Sequence, residues 1–388
     1  MANDARTTIQ DKFMASDNII IVATIAFGMG IDKSNIRNVV HYAVPKSLEG
    51  YSQEIGRAGR DGLESTCMIY LCAEDIKIME EWSRADVPSL RSVKGLVGEF
   101  LELHRYAKAG DVIERNLNEE SREWDIRKNA LDLLNAQLEL RFELIRAIKP
   151  KYSEYKYIKS QAFESRTADG SPVTKALKKM SKTAHKWTRI DVDAAAGSGG
   201  FQRADAVKKL QEWNDSGAIE LQPSGVVNRF RVLKDFPQGE EAKRQITTSI
   251  YAQIEAREKS DMERVQQVID LVTTKGCLSR ELARHFADDG TVPKGGCGHC
   301  NFCLTKTQVK FIQAHNQSRK GRIDERKIKA ILAATTVRDD ARFLARVAFG
   351  ISSPRVTVEK LGKHAVFGSM DDCDFEELVK RFDQVCKS

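Results

Sequence analysis

The stretch Ala23–Tyr42 reads ATIAFGMGIDKSNIRNVVHY, and shortly after it Tyr51–Gly62 reads YSQEIGRAGRDG. Gly28 and Gly30 permit close turns between a strand and whatever it contacts, because glycine takes backbone conformations that other residues avoid. The first string is not a Walker A loop, which requires G-x-x-x-x-G-K-[ST]; Lys33 follows only an Asp. In the second string Arg57 and Arg60 lie three apart on an expected helical turn and so project to one side, while Gly56 and Gly59 keep the surroundings open. Two guanidiniums fixed this way suit a polyphosphate, since each offers a planar fork to phosphoryl oxygens. An arginine finger stabilises charge developing on a transferred phosphoryl group. The competing reading is a solvated, salt-bridged helix.

Three short apolar runs surround these strings. Asn18–Ala23 (NIIIVA), Asn38–Val44 (NVVHYAV) and Thr66–Leu71 (TCMIYL) are expected strands, the first suited to burial on both faces of a parallel sheet. Strands alternating with Gly-rich turns and a helical segment describe part of an α/β layer.

Farther on, Asp75–Pro150 is expected to be helical. Its clearest element runs from about Arg115 to Ile148, where Leu131, Leu134, Leu138, Phe142 and Ile145 recur every three or four positions and Pro150 ends the pattern. Residues 194–200 (AAAGSGG) read as a loop or boundary. Ala206, Val207, Leu210 and Trp213 form an expected amphipathic helix. Residues 217–221 (GAIEL), the turn Pro223–Gly225 and residues 226–233 (VVNRFRVL) read as a hairpin with Phe230 and Val232 on one face and Arg229 and Arg231 on the other. Helix followed by hairpin is the end of a winged helix, whose exposed Arg229 and Arg231 would meet phosphates. An α+β element that packs domains together is the alternative. Beyond it come a helix over Asp261–Leu271, helical sequence from Asp324 to Phe349, and a tail of short helices in which Cys373 and Cys386 are core or ordinary free thiols.

The 388 residues suggest two or three domains. Hydrophobic residues at 41% and charged residues at 30% exclude wholesale disorder. No apolar run approaches the ~20 residues of a transmembrane helix, so no membrane partner is expected, and the first residues lack the apolar core of a secretory signal. The net charge of +7 is concentrated. Residues 151–189 hold ten Lys or Arg against three acids, a surplus equal to that of the whole chain. Tyr152, Tyr155, Tyr157 and Trp187 lie among them. Cations interleaved with aromatics suit a nucleic-acid groove, with Lys175, Lys178, Lys179, Lys182 and Lys186 as phosphate contacts. A solvated interdomain linker is the alternative.

Four of the eight cysteines form a cluster in sequence: Cys277, then Cys297, Cys300 and Cys303 in CGHCNFC. That spacing lets thiolates converge on one tetrahedral ion, with Gly295, Gly296 and Gly298 relieving crowding. Four thiolates leave no position for a reacting water, so the site is structural, and zinc is the expected ion. Iron–sulfur is a second possibility. Disulfides are disfavoured without a secretory signal. His299, flanked by ligands, is expected to point away.

Taken together, ATIAFGMGIDK resembles motif V and YSQEIGRAGRDG motif VI of the second RecA-like lobe of superfamily 2 helicases, specifically the RecQ family of DNA helicases. The intervening RNVVHYAVPKSLEGY is similar to that family too, and CLSRELARHF with CGHCNFC resembles its zinc subdomain. The likeness is specific over about Arg6 to Cys72 and Cys277 to Cys303. It implies an ATP-dependent 3′-to-5′ DNA helicase, acting in DNA repair and recombination in the nucleus, on single-stranded DNA or single-stranded/duplex junctions. It also implies roles for particular residues. Thr24 would touch the DNA backbone. Gly30 and Asp32 would lie near the ATP-binding cleft, Gln53 would sense the γ-phosphate, and Arg57 and Arg60 would reach the nucleotide, with Mg²⁺, across that cleft.

The resemblance has two departures. The family binds ATP mainly on a first lobe, and no Walker A or DExH-type box occurs in this sequence. The chain is therefore expected not to hydrolyse ATP alone and to be the C-terminal piece of a longer helicase. The family also places its zinc module soon after motif VI and before the winged helix; here 214 residues intervene and the winged-helix candidate comes first. The expected fold class is α/β: a partial RecA-like lobe (1–75), a helical region (76–150), a basic linker or DNA-contact segment (151–200), a winged-helix-like region (201–260), a zinc module (261–310) and a helical C-terminal region (311–388).

Overall fold

In the computed structural model, residues 3–24, 27, 30–288, 290–311 and 321–387 are described. The chain divides into two compact units, Met1–Ser89 with Ala252–Ser388, and Leu90–Tyr251.

The first unit opens with α1 (Asn3–Ala15), β1 (Asn38–His41), α2 (Leu48–Ile55), β2 (Thr66–Ile69) and α3 (Ala73–Ala85). β1 and β2 pair in parallel, Asn38 opposite Thr66 and His41 opposite Ile69, as the two apolar runs suggest. Such a pair requires a crossover, and α2 provides it. Ser47 caps α2 by accepting from the Gly50 amide at 3.2 Å. The strand expected over Asn18–Ala23 does not form: these residues are irregular, and Ile20 and Val22 are 91% and 97% exposed. An apolar run becomes a buried strand only with ladder partners on its edges, and among the described residues this one has none.

The second unit contains α4 (Leu90–Leu103), β3 (Val112–Arg115), α5 (Leu117–Glu123), α6 (Lys128–Leu140), β4 (Ile145–Lys159), α7 (Phe163–Arg166), α8 (Pro172–Met180), β5 (Lys182–Ala184), β6 (Trp187–Asp191), α9 (Val192–Gly199), α10 (Arg203–Asp215) and β7 (Ile219–Val232). Its sheet has the order β3-β7-β4-β6-β5, with every pairing antiparallel.

Here the structure corrects four expectations. The continuous helix over Arg115–Ile148 is broken by Asp125 (φ 52°) and Glu143 (φ 50°). Leu131, Leu134 and Leu138 are buried on α6, but Ile145 already belongs to a strand. Pro150 ends no helix; it sits inside β4 where the register with β7 shifts, between Ile148 and Lys151, a place where a residue without an N–H is tolerated. Residues 151–200 are not a linker but strands and helices, and the AAAGSGG loop is α9, with Ala195 and Ala196 buried and Gly200 closing it in the left-handed conformation. Finally, the GAIEL and VVNRFRVL runs do not fold back on each other. They form the single strand β7, because β4 offers partners along its whole length, Lys159 opposite Ile219 through Ile145 opposite Val232. Pro223 falls where β7 has β4 on one side only.

Two cores form on opposite sides of this sheet. Tyr155, Tyr157 and Ile219 point to one side, into a cluster with Phe163, Leu177, Ile190, Ala206, Leu210 and Trp213 from α7, α8, β6 and α10. This helix–strand–helix–helix–strand arrangement is the winged-helix-like part. On the other side, toward the far end of β7, Ile113 and Phe230 lie opposite each other and buried, and Arg115 stacks its guanidinium over Phe100 and Phe230 while pairing with Glu120 at 2.5 Å. Trp124 packs against Gly95 of α4, where a β-carbon would lie 1.8 Å from the ring.

The chain returns to the first unit along α11 (Glu240–Val272), followed by α12 (Leu278–His285), α13 (Asn301–Thr305), α14 (Glu325–Ala334), α15 (Ala341–Phe349), α16 (Pro354–Val358) and α17 (Phe375–Lys387). Val265, Val268, Ile269 and Leu271 of α11 pack against Val44, Leu48 and Met79. The C-terminal helices bury a second cluster that includes Phe343, Phe349, Phe375, Leu378 and Phe382, with Cys373 buried and Cys386 half-buried at its edge. Both cysteines are core thiols, as expected. No described helix is long and apolar enough to cross a membrane.

Candidate functional site

The second arginine-bearing string ends its helix earlier than its spacing suggests. α2 stops at Ile55, and Gly56 to Asp61 continue as successive turns, with Gly56 N donating to Ser52 O at 2.9 Å and Ala58 N to Ile55 O at 3.0 Å. Arg57 and Arg60 therefore stand on a turn beyond the helix, not on one helical face. Gly59 has φ 63°, and a β-carbon there would meet Leu63 O at 2.9 Å. The turn is stapled to the first string: Gly59 N donates to Ile36 O at 3.0 Å, Asp61 N to Ser34 O at 3.3 Å, and Arg37 pairs with Asp61. The Arg37 guanidinium holds the Asp61 carboxyl below its ordinary range.

Of the residues expected at the nucleotide, Asp32 and Arg60 are brought together as an ion pair. Gly30 has φ 86° and open space at its β position. Gln53 is exposed on α2 and Arg57 is half-buried. Thr24 is exposed, and Gly28 lies outside the described residues. A contact that spacing did not reveal lies beneath the turn. His41 Nε2 on β1 lies 2.5 Å from Glu54 Oε2 on α2, with the Tyr51 ring 5.2 Å from the imidazole. Burial pushes the Tyr51 hydroxyl up to about 12.

The cysteine cluster is assembled as spacing suggests. The Sγ atoms of Cys277, Cys297, Cys300 and Cys303 all lie within 4.8 Å of one another. Cys297 and Cys303 are 3.9 Å apart, as are Cys300 and Cys277. A tetrahedral ion with metal–sulfur bonds of about 2.3 Å separates its sulfurs by about 3.8 Å, so the donor set fits such an ion. Backbone amides turn toward the sulfurs: Cys297 N donates to Cys277 Sγ at 3.3 Å and Cys300 N to Cys297 Sγ at 3.2 Å. Burial pushes the Cys297 thiol up, but hydrogen bonds from Ser279 and from the His299 and Cys300 amides outweigh it and bring it down to about 5, toward the thiolate a metal requires. Gly296 is the glycine the loop requires. Its φ is 103°, and a β-carbon would lie 2.6 Å from Cys303 Sγ. His299 is exposed and outside the cluster.

Cys277 also stands at the first, N-cap position of α12, and that helix ties the cluster to α2. Its last residue, His285, lies 3.0 Å from Glu49 in the first turn of α2, and Leu282 packs against the core around Leu48. The hydrogen bond with His285, aided by Ser47, lowers the Glu49 carboxyl to about 2.

The residues expected to contact DNA do not form one patch. Lys175, Lys178 and Lys179 lie on α8, with Lys178 pairing with Glu164 at 2.8 Å. Lys182 is on β5 and Lys186 in the following turn, both exposed. Arg229 and Arg231 lie at the other end of the sheet, Arg229 opposite Glu114 and Arg231 opposite Arg146. Tyr155 and Tyr157 are buried and cannot stack on a base. Lys156 and Arg189 were not singled out by sequence. The alternation of Tyr155 and Tyr157 with Glu154 and Lys156 is a period-two signal that would have placed them on a strand face.

Two family models match the segments that contain these residues. A family model described as the helicase conserved C-terminal domain matches residues 1–62, and one described as RecQ zinc-binding matches residues 238–304. An ATP-dependent DNA helicase RecQ of Bacillus subtilis is 44% identical over 102 residues, covering 24% of this chain and 17% of that protein. The ATP-dependent helicase SGS1 of Saccharomyces cerevisiae is 48% identical over 86 residues, 22% of this chain and 6% of that protein. The RecQ-like DNA helicase blm-1 of Caenorhabditis elegans is 51% identical over 77 residues, 20% and 8% respectively. The chain thus matches less than a fifth of the length of each of these relatives. With the motif V and VI strings joined at one turn and four cysteine sulfurs gathered at the start of α12, the chain carries the C-terminal helicase and zinc-binding regions of the RecQ family.

Proposed function

We propose that this chain is the C-terminal part of an ATP-dependent 3′-to-5′ DNA helicase of RecQ type. ATP and Mg²⁺ would bind mainly on a first lobe that these 388 residues do not supply. Arg57 and Arg60 would reach the nucleotide across the cleft, with Gln53 at the γ-phosphate and Gly30 and Asp32 at its edge. Thr24 would meet the DNA backbone. Zinc on Cys277, Cys297, Cys300 and Cys303 would fix α12 and, through it, α2. Work in the nucleus, in DNA repair and recombination, belongs to the same reading.

The observation that carries this reading is the Asp32–Arg60 ion pair. The two strings, separate in sequence, meet there, around a turn that also bears Arg57. An exposed pair of this kind adds little stability, so its interest lies in position.

A second reading, a non-catalytic zinc-containing DNA-binding module, is favoured by the lack of any G-K-[ST] string in the sequence. One experiment addresses both. The purified chain is given ATP, Mg²⁺ and single-stranded DNA, and phosphate release and DNA binding are measured separately. Binding without release is expected on either reading. Release by the chain alone would overturn the placement of the ATP-binding lobe elsewhere. The helicase reading further expects an in-frame lobe with GKT/S- and DExH-like boxes in the upstream coding sequence, and its absence would favour the module.

A further inference from the structure

Residues 63–237 lie outside both family matches, so nothing inherited assigns a role to the sheet of the second unit. One of its exposed faces carries an unusual arrangement. On β6, Thr188 and Ile190 are buried toward the helices, so Trp187 and Arg189 point away from them. Strand pairing sets Lys182 of β5 directly opposite Arg189, and Arg189 directly opposite Lys156 of β4. Three cations thus stand side by side on adjacent strands, over a span of about 10 Å. Like charges directly opposite each other destabilise a sheet. No carboxylate lies within salt-bridge distance of Lys156, Lys182, Lys186 or Arg189 among the described residues, so the repulsion is not relieved by pairing.

An aromatic ring sits within this group. Trp187 is half-buried, with the Lys156 ammonium 4.8 Å and the Lys186 ammonium 5.9 Å from its ring centre. The next rung is acidic, Glu154 opposite Asp191, and bounds the cationic row on one side. By contrast α10, the helix that a helix-turn-helix protein would place in a DNA groove, exposes Asp205, Glu212 and Asp215 and only one lysine, Lys208, that is not engaged with acids. Phosphate would be repelled there.

We propose that the β4–β6–β5 face centred on Trp187 is a binding site for single-stranded DNA. One base stacks on the indole, and the flanking phosphates draw in Lys156, Lys182, Lys186 and Arg189. An acidic peptide would satisfy the cations but leave the ring without a partner, which is why a nucleic acid fits better. The site rests on the DNA-binding reading above but names a surface which that reading does not require.

The test uses the full chain and a labelled oligothymidylate of about 15 nucleotides. Trp187→Ala should weaken binding about tenfold and Trp187→Phe far less, because any aromatic face can stack. Lys156→Gln and Arg189→Gln, exposed or half-exposed changes that leave the core intact, should each reduce the slope of log affinity against log salt by about one. Wild-type binding that all these variants retain within twofold would overturn this site while leaving DNA binding elsewhere on the chain intact. No binding by the wild-type chain even at low salt would overturn the site and the broader reading together. Equal competition by polyglutamate would overturn the nucleic-acid assignment of the face.

Discussion

Gly296 shows how one missing side chain leaves room for a four-cysteine cluster that could hold a metal ion. A methyl group there would sit 2.6 Å from Cys303 Sγ, on a backbone whose φ of 103° already disfavours any other residue. Gly296→Ala should therefore lower bound zinc from about one per chain to less than half that, measured as metal content after purification. Gly298→Ala, with open space at its β position, should lose less. Cys300→Ser should lose the metal outright, and full occupancy in that variant would contradict the ligand assignment. The cysteines were legible from spacing alone. That Gly296, rather than Gly295 or Gly298, abuts a sulfur was not, because crowding depends on the path of the loop. The arginines were half legible. Their spacing marks them as a pair, but whether three residues share a helical face depends on where the helix stops, and Gly56 ends α2 one residue before Arg57. A different arginine matters for stability. Arg346 is almost completely buried and donates to the carbonyls of Ala85 and Val87. Arg346→Met should destabilise the first unit by about 2–4 kcal/mol, because the buried guanidinium's bonds to the Ala85 and Val87 carbonyls are lost and Val87 keeps only its donor from Arg342. A urea midpoint unchanged from wild type would refute it.

Among the elements, α12 is the link between chemistry and fold. It starts on one of the four clustered cysteines and ends on a histidine that holds Glu49 of α2. Glu49 is lowered to about 2 from an ordinary value of 4.5, so the contact contributes fully above about pH 4.5 and fades as pH falls toward 2. Glu49 is half exposed, which keeps the contribution below about 1 kcal/mol. Glu49→Gln should flatten that stretch of the stability–pH curve and leave neutral pH little changed; a curve identical to wild type between pH 4.5 and 2 would argue against the link. Local pattern identified β1, β2 and α10, where period and breakers agree. It misread β7 because Pro223 and Gly225 carry turn chemistry, and a long partner strand overrides a turn that would otherwise close. It misread Asn18–Ala23 for the converse reason: strand propensity without a ladder partner leaves an exposed chain.

Across the whole molecule, the two family-matched segments, 1–62 and 238–304, fall in one compact unit apart from the start of α11, although about 175 residues of sequence separate them. The intervening chain folds largely as a unit of its own, Leu90–Tyr251, with a basic segment split between α8 and the opposite side of the sheet. Composition could locate the charge but not divide it, since which side a lysine faces is set by strand register. The central claim is that the turn bearing Arg57 completes a nucleotide site whose other half lies in a separate lobe. It is tested most directly in the longer protein that contains both, by comparing DNA-stimulated phosphate release and DNA affinity in wild type and Arg57→Ala. A guanidinium that acts on the transferring phosphoryl group should, when removed, lower kcat by about 10²- to 10³-fold and leave the DNA Kd within about threefold. Unchanged turnover, or an equal loss of turnover and DNA affinity, would contradict the account.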